Sequence, residues 1–200
     1  MANKTNPSLP LEYQSEQGKL NILGFWVFIG AEIILFATLF AVYGVLGVRH
    51  AGGPTQADIF VIKEVVIQTL LLLTSSFTAG IVMWEMRRNN QKGINIWLVI
   101  TLLLGASFLI IEINEFQHYY ELGATLQTSA AMSSLFTLLG THGAHVTVGI
   151  GWGLLLILQL SKHKLTPKTA SKLHIFTLYW HFLDVVWIFI FTYVYLAGVL

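Results

Sequence analysis

Two histidine-containing pairs and one isolated acid are the residues with the clearest potential for chemistry. His142 and His145 are three residues apart, and so are His181 and Asp184, so on a helix each pair lies on one face. Glu32 is the only charged residue between positions 22 and 48. Imidazole and carboxyl groups can bind a metal or a haem, relay protons, line a quinone or lipid pocket, or join helices through hydrogen bonds. The residue types leave all of these interpretations open.

A second set of acids stands close to the ends of apolar stretches: Glu64, Glu112 and Glu115. Glu115 and His118 form a Glu-x-x-His string, but a di-iron helical bundle needs two such strings and two further glutamates. The sequence contains one string of this kind. We therefore predict that the chain holds no metal, and we expect the three acids to reach interfacial water on the outer side of the membrane.

The composition excludes several classes of protein. Of 200 residues, 55% are hydrophobic and 10% are charged, whereas soluble domains carry roughly 25% charged residues. The net charge of +1 is too small to attract a phosphate backbone, which argues against nucleic-acid binding. The absence of cysteine excludes disulfides, thiolate metal sites and iron–sulfur clusters. Because no phosphate loop, nucleophile elbow or dinucleotide-binding string is present, we predict no catalytic residue in this chain.

Five stretches are long and apolar enough to cross a bilayer, whose hydrocarbon core of ~30 Å needs ~20 residues of helix. Helices are expected because lipid cannot hydrogen-bond a free backbone, and the short alternating segments of a membrane β-barrel are absent. The sequence therefore predicts an all-α, polytopic membrane protein with a bundle of five transmembrane helices. The expected parts are a cytoplasmic N-terminal tail (1–21) and one domain (22–200) with spans at about 22–48, 62–86, 94–117, 132–160 and 173–199.

The basic residues predict the orientation of these helices. Of the 11 Lys and Arg residues, all but Arg49 and Lys63 flank one set of helix ends. By the positive-inside rule, the N-terminus is cytoplasmic and the C-terminus is outside. At 1.5 Å per residue, Glu32, His142 and Asp184 all lie near the middle of the bilayer, where they could meet.

The fourth apolar stretch is rich in glycine, with Gly140, Gly143, Gly149 and Gly153. Small residues on a membrane helix let neighbouring helices approach closely. We therefore expect the fourth helix to lie in the interior of the bundle.

Two strings from the last two spans carry a resemblance to a known family. Gly140-Thr-His-Gly-Ala-His-Val-Thr-Val-Gly149 and Tyr179-Trp-His-Phe-Leu-Asp-Val-Val-Trp187 together resemble subunit III of haem-copper terminal oxidases. Phe25-Trp-Val-Phe-Ile-Gly-Ala-Glu32 is similar to the first retained helix of that family, with its buried acid. The resemblance extends over almost the whole chain after the tail.

The number of spans and the first outer loop narrow the resemblance. Five spans, with Ala51-Gly-Gly-Pro-Thr55 followed by Asp58-Ile-Phe60, resemble the form found in bacterial quinol oxidases, in particular Bacillus-type menaquinol oxidases. The resemblance implies a non-redox subunit III of a complex in the bacterial plasma membrane that oxidises quinol, reduces O2 to water and translocates protons. Such a subunit supports assembly, stability and proton uptake of the catalytic subunit. Subunit III of a cytochrome c oxidase is the alternative.

The resemblance also implies partners and roles for single residues. Haems and copper belong to subunit I, so this chain would bind no cofactor of its own, would contact subunit I and other subunits, and could hold a phospholipid. Glu32 corresponds to the carbodiimide-reactive buried carboxyl of the family, which would act as a proton antenna or line a lipid cleft. The family's signature polar residues in the last helices, expected to form a structural intramembrane cluster, correspond to His142, His145, His181 and Asp184.

Proteins of two other classes share parts of this pattern. A stand-alone small membrane transporter would also place acids at mid-membrane, but the sequence lacks the internal repeat common in carriers. A haem-binding membrane anchor of another respiratory complex would also need histidines in its spans. Transport by the chain alone would indicate the first class, and a haem spectrum of the isolated chain would indicate the second.

Overall fold

Five long helices make up almost the whole chain. The computed structural model describes residues 9–52, 54–55, 59–162 and 165–199, and within these ranges it contains helices, turns and bends but no strand. The long helices are α1 (Glu16–Leu46), α2 (Ile62–Arg87), α3 (Gln91–Glu121), α4 (Ala130–Lys162) and α5 (Pro167–Ile190). All five are long and apolar enough to cross a membrane, so the prediction of an all-α, five-span membrane protein is confirmed.

The first helix begins earlier than hydropathy indicates. A 3₁₀ turn (Leu11–Tyr13) precedes α1, and α1 begins at Glu16 rather than at Ile22. The Ser15 hydroxyl accepts a hydrogen bond from the Gly18 amide at 3.0 Å and so caps the helix. Part of the predicted N-terminal tail is therefore folded. Hydropathy missed this first turn because it detects only the apolar part of a helix.

The N-terminal turn is attached to the ends of two other helices. Glu12 is fully buried, and its carboxylate lies 3.3 Å from the Arg87 guanidinium at the end of α2. Tyr13 packs edge-on against His174 of α5, with ring centroids 5.7 Å apart. Four of the residues on which the predicted orientation and the family resemblance depend lie outside the described residues: Lys4, Gly53, Asp58 and Lys164.

The central helix of the bundle is α5. It packs against α1, α2 and α4, and 56% of the residues in its most apolar window are buried, compared with 33% for α4 and 11% for α1. The glycine-rich fourth helix packs against α1, α3 and α5, as its small residues predict, but it is less buried than α5. The glycines of α4 make room for large side chains of α5.

The Trp180 side chain of α5 is wedged between two glycines. A Cβ atom at Gly105 of α3 would lie 2.7 Å from Trp180 Cζ2, and one at Gly149 of α4 would lie 3.0 Å from Trp180 Cζ3. The indole Nε1 donates a hydrogen bond to Ser75 Oγ of α2 at 2.9 Å, and this hydroxyl donates to the Thr101 carbonyl of α3 at 2.9 Å. One side chain thereby sets the spacing of four helices.

A wider helical turn follows α5. Phe191–Leu196 form a π-helical segment, and Ala197–Val199 return to an α-helical turn. Val194 and Tyr195 are both fully buried. A π-helical turn holds more residues than an α-helical turn, which allows these consecutive side chains to face the core together.

Substitution of Gly149 by leucine is expected to destabilise the bundle. A leucine there would overlap the Trp180 ring, and overpacking of a core costs about 1–3 kcal/mol. Gly151→Leu is the matched control, because a Cβ at Gly151 has no neighbour within 4 Å among the described residues. The melting temperature in mild detergent should fall for Gly149→Leu and should not fall for Gly151→Leu. Equal melting temperatures would show that the Trp180 wedge is not tight.

Candidate functional site: a carboxyl–histidine pair within the membrane

Glu32 of α1 and His145 of α4 form a hydrogen-bonded pair. Glu32 Oε2 lies 3.1 Å from His145 Nε2, and the two side chains are 13% and 21% exposed, respectively. The other ring nitrogen of His145, Nδ1, lies 2.7 Å from the Thr141 carbonyl oxygen one turn earlier. The Tyr179 hydroxyl of α5 donates to the His145 carbonyl oxygen at 3.0 Å. Residues from three helices therefore hold the pair in place.

The hydrogen bonds determine how many protons the pair holds. A carbonyl oxygen can only accept a hydrogen bond, so Nδ1 of His145 carries a proton. The contact between Nε2 and Glu32 needs one further proton, on either the nitrogen or the carboxyl oxygen. The pair is neutral in both cases, as a carboxylate beside an imidazolium or as a carboxylic acid beside an imidazole. It can hold one shared proton at a depth where an isolated charge is costly.

His142 is fully buried among aromatic side chains. Its ring stacks on Trp187, with centroids 5.5 Å apart, and packs edge-on against Phe36 and Phe108 at 6.4 and 5.8 Å. Phe36 also contacts the His145 ring at 5.3 Å, so the two histidines face the same part of the bundle. Neither nitrogen of His142 has a hydrogen-bond partner within the described part of the chain. This environment is typical of a residue that packs the core.

His181 and Asp184 face α2 rather than the Glu32 pair. Ser76 Oγ of α2 lies 2.7 Å from His181 Nδ1, and all three side chains line one shallow groove. The midplane residues that could have met in one cluster are therefore divided between two places. Depth along a helix follows from the sequence, but the rotation of α5 about its axis, which turns this face toward α2, does not.

Two acids that the sequence placed in interfacial water are buried. Glu112 is 2% exposed and Glu115 is 4% exposed. Gln68 donates to Glu115 Oε2 at 3.2 Å, and the Tyr119 hydroxyl donates to Glu115 Oε1. The Glu112 carboxyl lies against α4 where glycine leaves room, since a Cβ at Gly143 would be 2.8 Å from Oε2. The expectation of solvated acids is wrong for both because α2 and α4 cover this face of α3.

Helical spacing carried a signal for this burial that hydropathy did not. Phe108, Glu112, Glu115 and Tyr119 follow one another at intervals of three or four residues along α3, and all four are buried. Residues at such intervals share one helix face. A glutamate on the same face as a core phenylalanine is therefore expected in the interior.

The remaining candidates do not assemble a ligand set. Glu64 and His118 are both exposed, whereas Glu115 is buried, so the Glu-x-x-His string does not converge on one point. Within the described ranges, no group of three or more histidine, aspartate or glutamate side chains could hold a metal ion. The Glu32–His145 pair is thus a contact between two helices rather than part of a metal-ligand set.

Five helices that can span a membrane, two of them joined by the Glu32–His145 pair, define a multi-pass membrane protein. Comparison with known proteins gives its family. The profile of the family described as cytochrome c oxidase subunit III matches residues 14–199. The chain is 60% identical over 197 residues to quinol oxidase subunit 3 of Bacillus subtilis, which covers 98% of this chain and 97% of that one. It is 47% identical over 196 residues to cytochrome c oxidase subunit 3 of the same species, covering 98% and 94%.

The chain therefore belongs to the cytochrome c oxidase subunit III family, and the resemblance stated from its sequence is confirmed. A third relative, cytochrome bo(3) ubiquinol oxidase subunit 3 of Pseudomonas putida, is 45% identical over 185 residues, covering 92% of this chain and 89% of that one. As a subunit III of a haem-copper oxidase, the chain is part of an oxidoreductase complex and is not itself catalytic.

A double-mutant cycle is expected to detect the Glu32–His145 hydrogen bond. Glu32→Leu and His145→Phe each remove one partner, so each should lower the free energy of unfolding, and the double variant should lose less than the sum. Hydrogen bonds between membrane helices contribute ~0.6 kcal/mol on average and up to ~1.7 kcal/mol, which sets the expected coupling. Unfolding in detergent with a chemical denaturant measures it. Additive effects would show that the two residues do not interact.

Proposed function

We propose that the chain is subunit III of a quinol-oxidising haem-copper oxidase in the bacterial plasma membrane, bound to subunit I. The supporting observation is the difference in identity to two subunits of one species: 60% to the quinol oxidase subunit and 47% to the cytochrome c oxidase subunit. Both comparisons cover 98% of this chain, so the difference does not come from alignment length. Subunit III of a cytochrome c oxidase is the second candidate.

Haems and copper are assigned to subunit I in this proposal, because two of the histidines in the spans, His145 and His181, are engaged elsewhere. His145 contacts both Glu32 and the Thr141 carbonyl, and His181 bonds to Ser76. Neither arrangement leaves two facing histidines free for the axial positions of a haem. The contribution of this chain is to stabilise the complex and to support proton uptake.

Proton uptake is the role that we assign to the Glu32–His145 pair. The pair holds one shared proton while it remains neutral, and it is partly exposed at the side of the bundle. Uptake of this proton neutralises the single negative charge that the pair would otherwise carry in the membrane. We place the N-terminus in the cytoplasm, because Arg87, Arg88 and Lys92 lie at the end of the bundle where α1 begins.

A phospholipid chain is proposed for the groove between α1 and α5. The groove measures about 480 Å³, and its lining is apolar except for His181; it includes Trp26, Ile33, Phe40 and Phe189. An acyl chain satisfies such a surface because it needs no hydrogen bonds. Bound phospholipid would cover part of α1, which is the least buried of the five long helices.

Oxygen consumption by the purified complex tests the proposal. The tagged chain is expected to copurify in mild detergent with a haem-containing partner that consumes oxygen with a reduced quinol and is inhibited by cyanide. Reduced cytochrome c is offered in a parallel assay. Uptake with cytochrome c alone would replace the proposal by the second candidate, and a haem-free preparation without uptake would refute both.

Glu32→Gln is expected to leave assembly and the initial turnover rate within about twofold of the unaltered complex. Glutamine keeps a hydrogen-bonding group beside His145, and no electron passes through this chain. Labelling of position 32 by dicyclohexylcarbodiimide, which modifies buried carboxyl groups and is located by mass spectrometry of peptides, should be lost. Glu64→Gln is the control and should retain the labelling, because Glu64 is exposed. Loss of the first turnover in Glu32→Gln would show that the pair takes part directly in oxygen reduction.

A further inference from the structure

Glu112 and Glu115 form a pair of buried acids that the proposed function leaves without a role. They are 2% and 4% exposed and stand three residues apart, so they share one face of α3. Their carboxyl groups are close enough to interact electrostatically. Within the described ranges, neither acid takes part in a salt bridge. Two neighbouring carboxyl groups in a protein interior repel each other when both are ionised, so one of them keeps its proton.

The hydrogen bonds around the two acids are unequal. Glu115 accepts a hydrogen bond from Gln68 Nε2 at 3.2 Å and another from the Tyr119 hydroxyl. Glu112 Oε1 and Oε2 have no hydrogen-bond partner in the part of the chain that the structure describes. Donors stabilise a carboxylate, whereas a buried carboxyl group without donors is more stable with its proton bound. The surroundings of Glu115 thus suit a carboxylate, and those of Glu112 suit a neutral acid.

Gln68 shows that this interior is short of a donor. Its side chain is fully buried, and its Nε2 is bonded to Glu115, but its Oε1 has no partner among the described residues. Together with the two oxygens of Glu112, three buried acceptors therefore lack a donor. Such unpaired acceptors are unfavourable. A proton bound to Glu112 turns one of the three oxygens into a donor.

The π-helical segment adds a tyrosine to the same interior. Tyr195 is fully buried, and its hydroxyl interacts electrostatically with both acids. Its ring packs on Phe60, which precedes α2, with centroids 4.6 Å apart. π-helical turns inside helices occur frequently at functional sites. The irregular end of α5 and the two acids of α3 are therefore parts of one arrangement.

Other ionisable side chains face the pair from the elements packed against it: Glu64 of α2, Tyr119 of α3, His142 of α4 and Tyr195 of the π-helical segment. No lysine or arginine is among them. His142 precedes Gly143, the glycine that makes room for the Glu112 carboxyl. A proton on His142 is therefore the alternative to a proton on Glu112.

We propose that Glu112 and Glu115 form a buried proton-binding site, in which Glu112 holds one proton at neutral pH and Glu115 is the charged member. Glu112 lies ~14 Å along the helix from Glu121 at the end of α3, at 1.5 Å per residue. The site shares no residue with the Glu32–His145 pair. It also does not depend on the function proposed above.

The pH dependence of unfolding counts this proton. A glutamate in an unfolded chain is largely ionised above pH ~5, so unfolding releases the proton that Glu112 holds. Release of one proton makes the equilibrium constant of unfolding rise tenfold for each pH unit. Between pH 5.5 and pH 6.5 in mild detergent, the constant of the unaltered full chain should therefore rise tenfold more than that of Glu112→Gln. Protons bound elsewhere affect both chains equally and cancel.

Two further variants assign the proton to one residue. Glu115→Gln should keep the pH dependence of the unaltered chain, because a carboxylate that is ionised before and after unfolding releases no proton. Glu121→Gln is the matched control on the same helix and should also keep it, because Glu121 is exposed. Equal pH dependence in Glu112→Gln and the unaltered chain would overturn the proposal, and so would its loss in Glu115→Gln. Failure of Glu112→Gln to fold would also count against it, since glutamine has the size and neutrality of the protonated acid.

Infrared spectroscopy of the purified full chain locates the proton. A protonated carboxyl group has a C=O stretching band at a frequency where carboxylates and amides do not absorb. The difference spectrum between the unaltered chain and Glu112→Gln should contain this band, and the difference spectrum for Glu121→Gln should not. Absence of the band from the first spectrum would place the proton on another group, such as His142, and would overturn the proposal.

Discussion

The position of Trp180 between two glycines is the constraint on which the rest of the bundle depends. Close contact with Gly105 and Gly149 fixes the distances of α3 and α4 from α5, and the hydrogen bond to Ser75 fixes α2. The side chains on either side of Trp180 then have defined neighbours. The Tyr179 hydroxyl hydrogen-bonds to the His145 carbonyl of α4, and His181 hydrogen-bonds to Ser76 of α2. Three consecutive residues of the central helix thus point in different directions, as a rotation of about 100° per residue requires.

The polar groups inside the membrane are stabilised in three different ways. Glu32 and His145 form a hydrogen bond between two helices, and His142 is packed among aromatic rings. Glu115 accepts hydrogen bonds from neighbouring tyrosine and glutamine side chains. None of these arrangements resembles the convergent set of ligands that a redox centre needs. The polar residues of this subunit therefore determine contacts between helices, which agrees with a subunit that is not itself catalytic.

Hydropathy and length were sufficient to predict five helices, because each span must satisfy its backbone internally in lipid. They did not predict the folded start of the chain, where Ser15 caps a polar first turn. Hydropathy and length also did not predict how each helix is rotated about its own axis. Glu32 and His145 are 113 residues apart, and nothing in either local sequence specifies that they meet. Glu112 and Glu115 were misplaced because distance along α3 was considered without the face that they share with Phe108.

Short strings in the last two spans, in contrast, were sufficient to predict the family. Tyr179-Trp-His combines the Trp180 wedge with the contacts of its two neighbours, so a change at any of these positions alters the spacing or bonding of several helices. The glycines of α4 have a similar basis, because Gly143 and Gly149 each lie against a large or polar side chain. Packing of this kind limits the residues that each position can accept.

The neutrality of the Glu32–His145 pair has a consequence for an energised membrane. A transmembrane voltage acts on a net charge with ~2.3 kcal/mol per elementary charge for each 100 mV that the charge crosses. A lone carboxylate at the depth of Glu32 would therefore change its proton occupancy as the voltage rises and falls with respiration. The pair carries no net charge with either position of its shared proton, so the voltage acts only on its small dipole. Movement of the shared proton between the two residues is consequently almost independent of the electrical state of the membrane, whereas its loss would leave a net charge on which the voltage acts.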